Sequence, residues 1–251
     1  KLHVPIFHIE AGLRSFNMSM PEEVNRIVCD QLSSILFAPT QTAVDNLCHE
    51  HIDERSKVVL SGDVMYDNCV YFAKMADSMT SILMDNGLGQ NQYCLATIHR
   101  DFNTDNPDRL RSIFKALDRL AVTMPVVLPL HPRTKSKLES LQIDTSRLKI
   151  IPPASFFEIL ALEQHAQLVL TDSGGVQKEA FFLQRPCVIM RPETEWVEII
   201  QHGAGVIADA DEERIIAGCD LLKDKQISFP ALFGDGHAAE KIVEQILHFL
   251  S

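Results

Sequence analysis

Leu168-Val169-Leu170-Thr171-Asp172-Ser173-Gly174-Gly175-Val176-Gln177-Lys178-Glu179-Ala180 decides the fold. Leu168 to Asp172 reads as a buried strand, Ser173-Gly174-Gly175 as a turn and Val176 to Leu183 as a helix. Pro186 to Met190 follows at once as the next strand. A strand that passes through one helix directly into another strand is a βαβ unit, and such units build parallel sheets. The turn carries chemistry as well. Two glycines at a helix start let a ligand approach the backbone, and the exposed N–H groups with the positive end of the helix dipole make an anion site. Glu179, about one turn into the helix, is placed to accept hydrogen bonds from ribose hydroxyls. The competing reading is an ordinary βα turn that uses glycine for tight packing.

The same alternation extends in both directions. Apolar runs at 3 to 9, 34 to 38, 57 to 60, 93 to 98, 125 to 130, 148 to 151, 167 to 171 and 186 to 190 read as strands. Most are continuous apolar runs, as in parallel strands covered on both faces. Pro21 followed by Glu22 and Glu23 opens one helix, Asn106-Pro107-Asp108 opens another, and Gly236 precedes a last helix at Ala238 to Phe249. The pattern weakens over 76 to 92, the best place for a domain junction.

The chain has 251 residues, 46% hydrophobic and 23% charged, which excludes a disordered or fibrous chain. With 34 acidic against 23 basic residues and a net charge of -11, binding of nucleic acid through a general cationic surface is excluded as well. Any phosphate the chain binds must therefore be met locally. The six cysteines form no C-x-x-C pair, so they suggest reduced thiols and a cytoplasmic chain. No apolar run approaches the roughly 20 residues that cross a bilayer, so no membrane partner is expected. The sequence opens Lys-Leu-His-Val-Pro-Ile-Phe, without an initiating Met and with a strand already under way, and reads as a cut start.

In doubly wound sheets ligands bind beyond the carboxyl ends of the strands. Three further segments lie there. His8-Ile9-Glu10-Ala11-Gly12-Leu13-Arg14 delivers a carboxylate to a strand end before a glycine turn, suited to acid/base work or else simply solvated. Pro21-Glu22-Glu23-Val24-Asn25-Arg26 places carboxylates three and four residues before Arg26, which a helix-surface ion pair also explains. Thr97-Ile98-His99-Arg100-Asp101-Phe102-Asn103 sets imidazole beside guanidinium, a proton donor next to a phosphate clamp, or a polar loop. Leu130-His131-Pro132-Arg133-Thr134-Lys135 reads as a second phosphate contact or a basic loop. His49-Glu50-His51 lacks the four-residue His spacing of the helical zinc motif and is rejected as a metal site.

Taken together with Gly62-Asp63-Val64-Met65 and Phe233-Gly234-Asp235-Gly236, these motifs resemble the non-hydrolysing UDP-N-acetylglucosamine 2-epimerase family in order and over nearly the whole chain. The resemblance implies a GT-B-like α/β fold: two Rossmann-type domains with parallel sheets, the first incomplete, and the active site in the interdomain cleft. Residues 1 to 85 would be the C-terminal part of the first domain, 86 to 235 the nucleotide-binding domain, and 236 to 251 a helix returning to the first. The implied reaction eliminates UDP from C1 with loss of the C2 proton, then adds UDP back to a glycal after reprotonation on the other face. The hydrolysing relative, which releases N-acetylmannosamine and UDP, and a non-catalytic UDP-sugar-binding fragment are the alternatives.

By the same resemblance Glu10 and Glu22 are active-site carboxylates and His99 contacts the departing phosphate. Arg100 and Asn103 bind substrate, Ser173, Gly174 and Gly175 cradle the diphosphate, and Glu179 meets the ribose. No metal and no cofactor is implied, and a homodimer is. The chain departs from the family pattern in lacking its opening strand, its Gly-rich turn with Arg and Lys, and a later Asp, all of which would precede Lys1. Phe102 also stands where a polar residue is usual. Pro192-Glu193-Thr194-Glu195-Trp196 is similar to the branch acting on diacetamido sugars or their uronic acids.

Overall fold

The computed structural model describes residues 4 to 251. In chain order they form β1 (Phe7–Ile9), α1 (Pro21–Leu32), β2 (Ile35–Ala38), α2 (Gln41–His49), β3 (Lys57–Leu60), α3 (Val64–Met79) and α4 (Ile82–Asp85). Next come β4 (Cys94–Thr97), α5 (Asp101–Thr104), α6 (Pro107–Leu120), β5 (Val126–Pro129), α7 (Pro132–Ser140), β6 (Lys149–Ile151) and α8 (Phe156–His165). The chain ends with β7 (Leu168–Thr171), α9 (Gly174–Phe182), β8 (Cys187–Ile189), α10 (Val197–Gln201), β9 (Gly205–Ile207), α11 (Glu212–Lys223) and α12 (Ala238–Leu250). Two compact units result. One extends up to Val70 and takes in Pro230–Ser251; the other is Tyr71–Phe229.

The first unit is built on a parallel sheet of order β1-β2-β3. Its middle strand, Ile35-Leu36-Phe37-Ala38, is fully buried on both faces, as a continuous apolar run in a covered strand should be. Ile242 of α12 packs on Ile35 and Phe37, with Phe7, Val59 and Ile246 around them. The expected strand at 3 to 9 is shorter than its apolar run. Position 3 lies outside the described residues, and β1 begins only at Phe7, because Pro5 has no N–H to give a ladder and Val4 and Ile6 face solvent.

The second unit has six parallel strands in the order β6-β5-β4-β7-β8-β9. Relabelled by succession this is 3-2-1-4-5-6, the dinucleotide-fold order, in which the winding reverses between the first and fourth strands. Here that point lies between β4 and β7, which pair from Cys94↔Leu168 to Thr97↔Thr171. α6 shows how one helix is placed. Asn106 caps it, its Oδ1 accepting from the N–H groups of Asp108 (3.0 Å) and Arg109 (3.2 Å), and Pro107 fills the first position. Leu110, Ile113, Phe114 and Leu117 then share one face and are buried against the sheet with Val126, Leu128 and Leu170. β9 was not anticipated. It is three residues long at the sheet edge and opens on Gly205, so its apolar run is too short to signal a strand.

Candidate active site

At the reversal between β4 and β7 the chain continues from β4 into His99 and Arg100 and from β7 into Asp172 and Ser173. The two strand ends are tied by a hydroxyl hydrogen bond between Thr97 and Thr171 (2.6 Å). Asp172 is fully buried and acts as an acceptor for the facing loop. It receives the backbone N–H of His99 (3.1 Å) and of Arg100 (3.1 Å) and the Nδ2 of Asn103 (3.1 Å), and its Oδ1 lies 3.3 Å from the His99 ring. Hydrogen bonds to a charged acceptor each contribute about 1.5–3 kcal/mol, so this carboxylate fixes where His99 stands. The imidazole itself remains 55% exposed.

Asn103 has a different place from the ligand contact expected of it. It is fully buried, its Nδ2 donating to Asp172 and to the Met190 carbonyl (3.0 Å) while its Oδ1 accepts from Arg109 Nε (2.9 Å). It holds the loop from behind. Phe102, exposed in the position beside it, lies under the Arg109 guanidinium at 5.4 Å.

On the β7 side, α9 begins two residues earlier than its sequence suggests, so Gly174 and Gly175 form its first turn and Ser173 is the N-cap. The Ser173 Oγ accepts from Val176 N (3.4 Å) and its own N–H donates to Thr171 Oγ1 (2.9 Å). A methyl group on Gly174 would stand 3.5 Å from Arg191 Nη1 and 3.7 Å from Trp196 Nε1. The bare helix end therefore faces a guanidinium and an indole N–H, donors suited to a phosphate oxygen. Arg191 is buried and held by Glu195 (3.1 and 3.2 Å), and the fully buried Lys178 places its Nζ 4.2 Å over the Trp196 ring. Glu179 is half-buried, and that burial raises its carboxyl pKa above the ordinary value, with Lys178 pulling the other way. The Arg133 of the basic segment is neutralised instead, by Asp101 (2.9 Å) and Asp105 (3.1 Å).

The first unit presents a second polar constellation. Glu10 and Glu22 are both exposed, Glu10 just after β1 and Glu22 in the first turn of α1. The loop from Glu10 to Phe16 is bound to α1 by two fully buried carboxylates. Asp30 accepts from Gly12 N (3.2 Å) and Arg14 Nη1 (2.7 Å) and lies 2.6 Å from His8 Nδ1. Glu23 accepts from Ser15 N (3.0 Å), Ser15 Oγ (3.0 Å) and Phe16 N (2.9 Å), and lies 3.5 Å from Arg26. Glu50, rejected as part of a metal site, accepts from Nε (2.6 Å) and Nη2 (2.8 Å) along one edge of the Arg14 guanidinium. Burial works against the Arg14 charge, yet the hydrogen bonds to Glu50 and Asp30 outweigh it and leave the group above its ordinary pKa.

Glu10 has φ 67 and Phe16 φ 58. Left-handed backbone at a residue with a Cβ costs about 1–3 kcal/mol and persists only where the surroundings impose it. Among the described residues, no three or more His, Cys, Asp or Glu side chains are grouped to hold a metal ion, and no helix is long and apolar enough to cross a membrane.

Known proteins resemble this chain in sequence and fold. The profile of the family described as UDP-N-acetylglucosamine 2-epimerase matches residues 1–247. A UDP-2,3-diacetamido-2,3-dideoxy-D-glucuronate 2-epimerase from Pseudomonas aeruginosa is 48% identical, over 98% of this chain and 69% of its own length. The crystal structure of the Methanocaldococcus jannaschii UDP-GlcNAc 2-epimerase in complex with UDP-GlcNAc and UDP superposes with a TM-score of 0.89 at 35% identity, over 98% of this chain and 70% of that one. The Neisseria meningitidis UDP-GlcNAc 2-epimerase bound to UDP-GlcNAc gives a TM-score of 0.85 at 27% identity, over the same shares. The fold is thus the GT-B-like α/β fold of these enzymes, with parallel sheets in both units. The chain belongs to the UDP-N-acetylglucosamine 2-epimerase family.

Proposed function

We propose that this chain inverts C2 of UDP-N-acetylglucosamine or a related UDP-HexNAc without net hydrolysis. The observation that supports it most is that His99, held by Asp172, and the Ser173-Gly174 helix start both stand at the β4/β7 reversal, an arrangement suited to a diphosphate leaving group. In this reading the α9 N-terminus takes the diphosphate, Arg191 and Trp196 add donors, and Glu179 accepts from the ribose. His99 and Arg100 meet the phosphate that departs with the C1 oxygen.

The reaction breaks the C2–H bond, forms a C1=C2 double bond from that electron pair and releases UDP. The return step puts a proton on the opposite face of C2 and joins the UDP oxygen to C1. Two proton positions on two faces call for two groups, and Glu10 and Glu22 are assigned to them. Each carboxylate alternates between holding a proton and releasing it.

The 48% identity to the diacetamido-glucuronate enzyme favours a second reading of the substrate, a UDP-2,3-diacetamido uronic acid acted on by the same steps. Incubation in heavy water with either UDP-sugar, followed by NMR, tests both readings. Deuterium at C2 of epimerised UDP-sugar is expected, with the better substrate identified by kcat/KM. Stoichiometric free UDP and reducing sugar, or no exchange at C2 of either compound, overturns the assignment.

A further inference from the structure

We infer that Asp30 is a positioning residue for proton transfer, setting Glu10 against Glu22. The inference rests on the reading of those two glutamates given above. Asp30 and Glu22 lie on one helix, α1, whereas the other holds on the Glu10 turn, Ala11 N–H to Phe37 O (3.0 Å) and Asn46 Nδ2 to Gly12 O (2.9 Å), come from elements that do not carry Glu22. Glu10 sits in left-handed backbone at φ 67, followed by Gly12 at φ 80. Asp30 grips the chain on both sides of it, at His8 two residues before and at Gly12 and Arg14 two and four residues after.

Both oxygens take part in the grip. Asp30 Oδ2 accepts the Gly12 N–H and an Arg14 N–H, and Oδ1 hydrogen-bonds with His8 Nδ1. With His8, Gly12 and Arg14 all meeting one fully buried carboxylate, the strained turn at Glu10 is tied to a side chain of the helix that presents Glu22. Glu23 repeats the device further along the same loop, at Ser15 and Phe16. Two groups that must address opposite faces of one carbon need a fixed separation, and Asp30 is the atom-level link that provides it.

Asp30→Asn in the full chain tests this. The amide keeps the size of the side chain but replaces one acceptor oxygen with a donor that faces His8 or Arg14. The expected result is a fall in kcat of about 10- to 100-fold, as displacement of a reacting group produces. KM should stay within about threefold, UDP affinity by calorimetry should be unchanged, and backbone exchange should become faster at Ala11 and Gly12. A kcat equal to wild type, or a loss carried entirely by KM, overturns the inference. If Asp30→Asn does not fold by circular dichroism, His8→Asn decides, because it leaves the Arg14–Asp30 and Arg14–Glu50 pairs intact. A lower kcat at unchanged KM supports the clamp, and wild-type kcat refutes it. A wild-type chain that exchanges no C2 hydrogen sinks the catalytic reading itself, an outcome separate from an active wild type with an indifferent Asp30→Asn.

Discussion

Glu163, on α8, is fully buried, and neither of its carboxyl oxygens has a hydrogen-bond partner. Burial, reinforced by the charge of Glu179, pushes its pKa well above the ordinary carboxylate value. The folded chain therefore keeps a proton that the unfolded chain surrenders near pH 4.3, about the unperturbed value. Folding stability from this group is fully present below that pH and is lost as pH rises through the raised native pKa. Glu163→Met, similar in length and apolar, is expected to raise the unfolding free energy measured in urea by an amount that grows as pH rises above about 4.3, reaching about 1–3 kcal/mol. A gain independent of pH would show that the carboxyl is not the cause. Residues of this kind are hard to read from sequence. Asp172 stands in a quoted motif, and Asp30 in a helix that drew notice for Glu22, yet both act as acceptors for donors far away in the chain. The donors of Asp30 begin 22 residues upstream and those of Asp172 73 residues upstream, and no local periodicity records such pairs. The positions of Glu10 and His99 just past strand ends were legible because an apolar run stops at each of them.

Gly62 and Gly234 set the meeting of two elements in the first unit. Gly62, φ +84, precedes α3, and a Cβ there would come within 3.0 Å of the Phe233 carbonyl oxygen and 3.2 Å of Gly234 Cα. The same crossing is closed by the Asp63 N–H, which donates to Phe233 O at 2.9 Å, just before α12 begins its return to the sheet. Gly62→Ala combines a left-handed backbone with a backbone collision, and is expected to destabilise by about 1–3 kcal/mol, lowering the thermal midpoint of the first unit. An unchanged midpoint would mean that the crossing relaxes freely. Elements of this sheet-and-helix pattern were mostly legible: seven of the eight anticipated strands coincide with observed ones to within a residue at either end. The exceptions have local causes. Pro5 delays β1, Gly205 conceals β9, and the first turn of α9 absorbs two glycines because Ser173 caps the helix ahead of them.

At the scale of the whole chain, a net charge of -11 surrounds a site proposed to take an anionic nucleotide. The screening length is about 30 Å in 10 mM salt and about 8 Å at 150 mM, so the long-range repulsion of the molecule fades while short contacts at the α9 terminus persist. KM for the UDP-sugar is therefore expected to fall by about twofold between those salt concentrations. A KM that rises steeply with salt would show that cations near the site, rather than the overall charge, govern capture. The acidic composition has a counterpart in the loops: buried carboxylates Asp30, Glu23 and Asp172 are spent on backbone N–H groups and on side chains behind the ligand-facing surface. Shape and contact are thereby assigned to different residues. A different side chain at the exposed position 102 would leave every hydrogen bond to Asp172 in place, so the surface beside His99 can vary while the carboxylate that sets the loop stays the same.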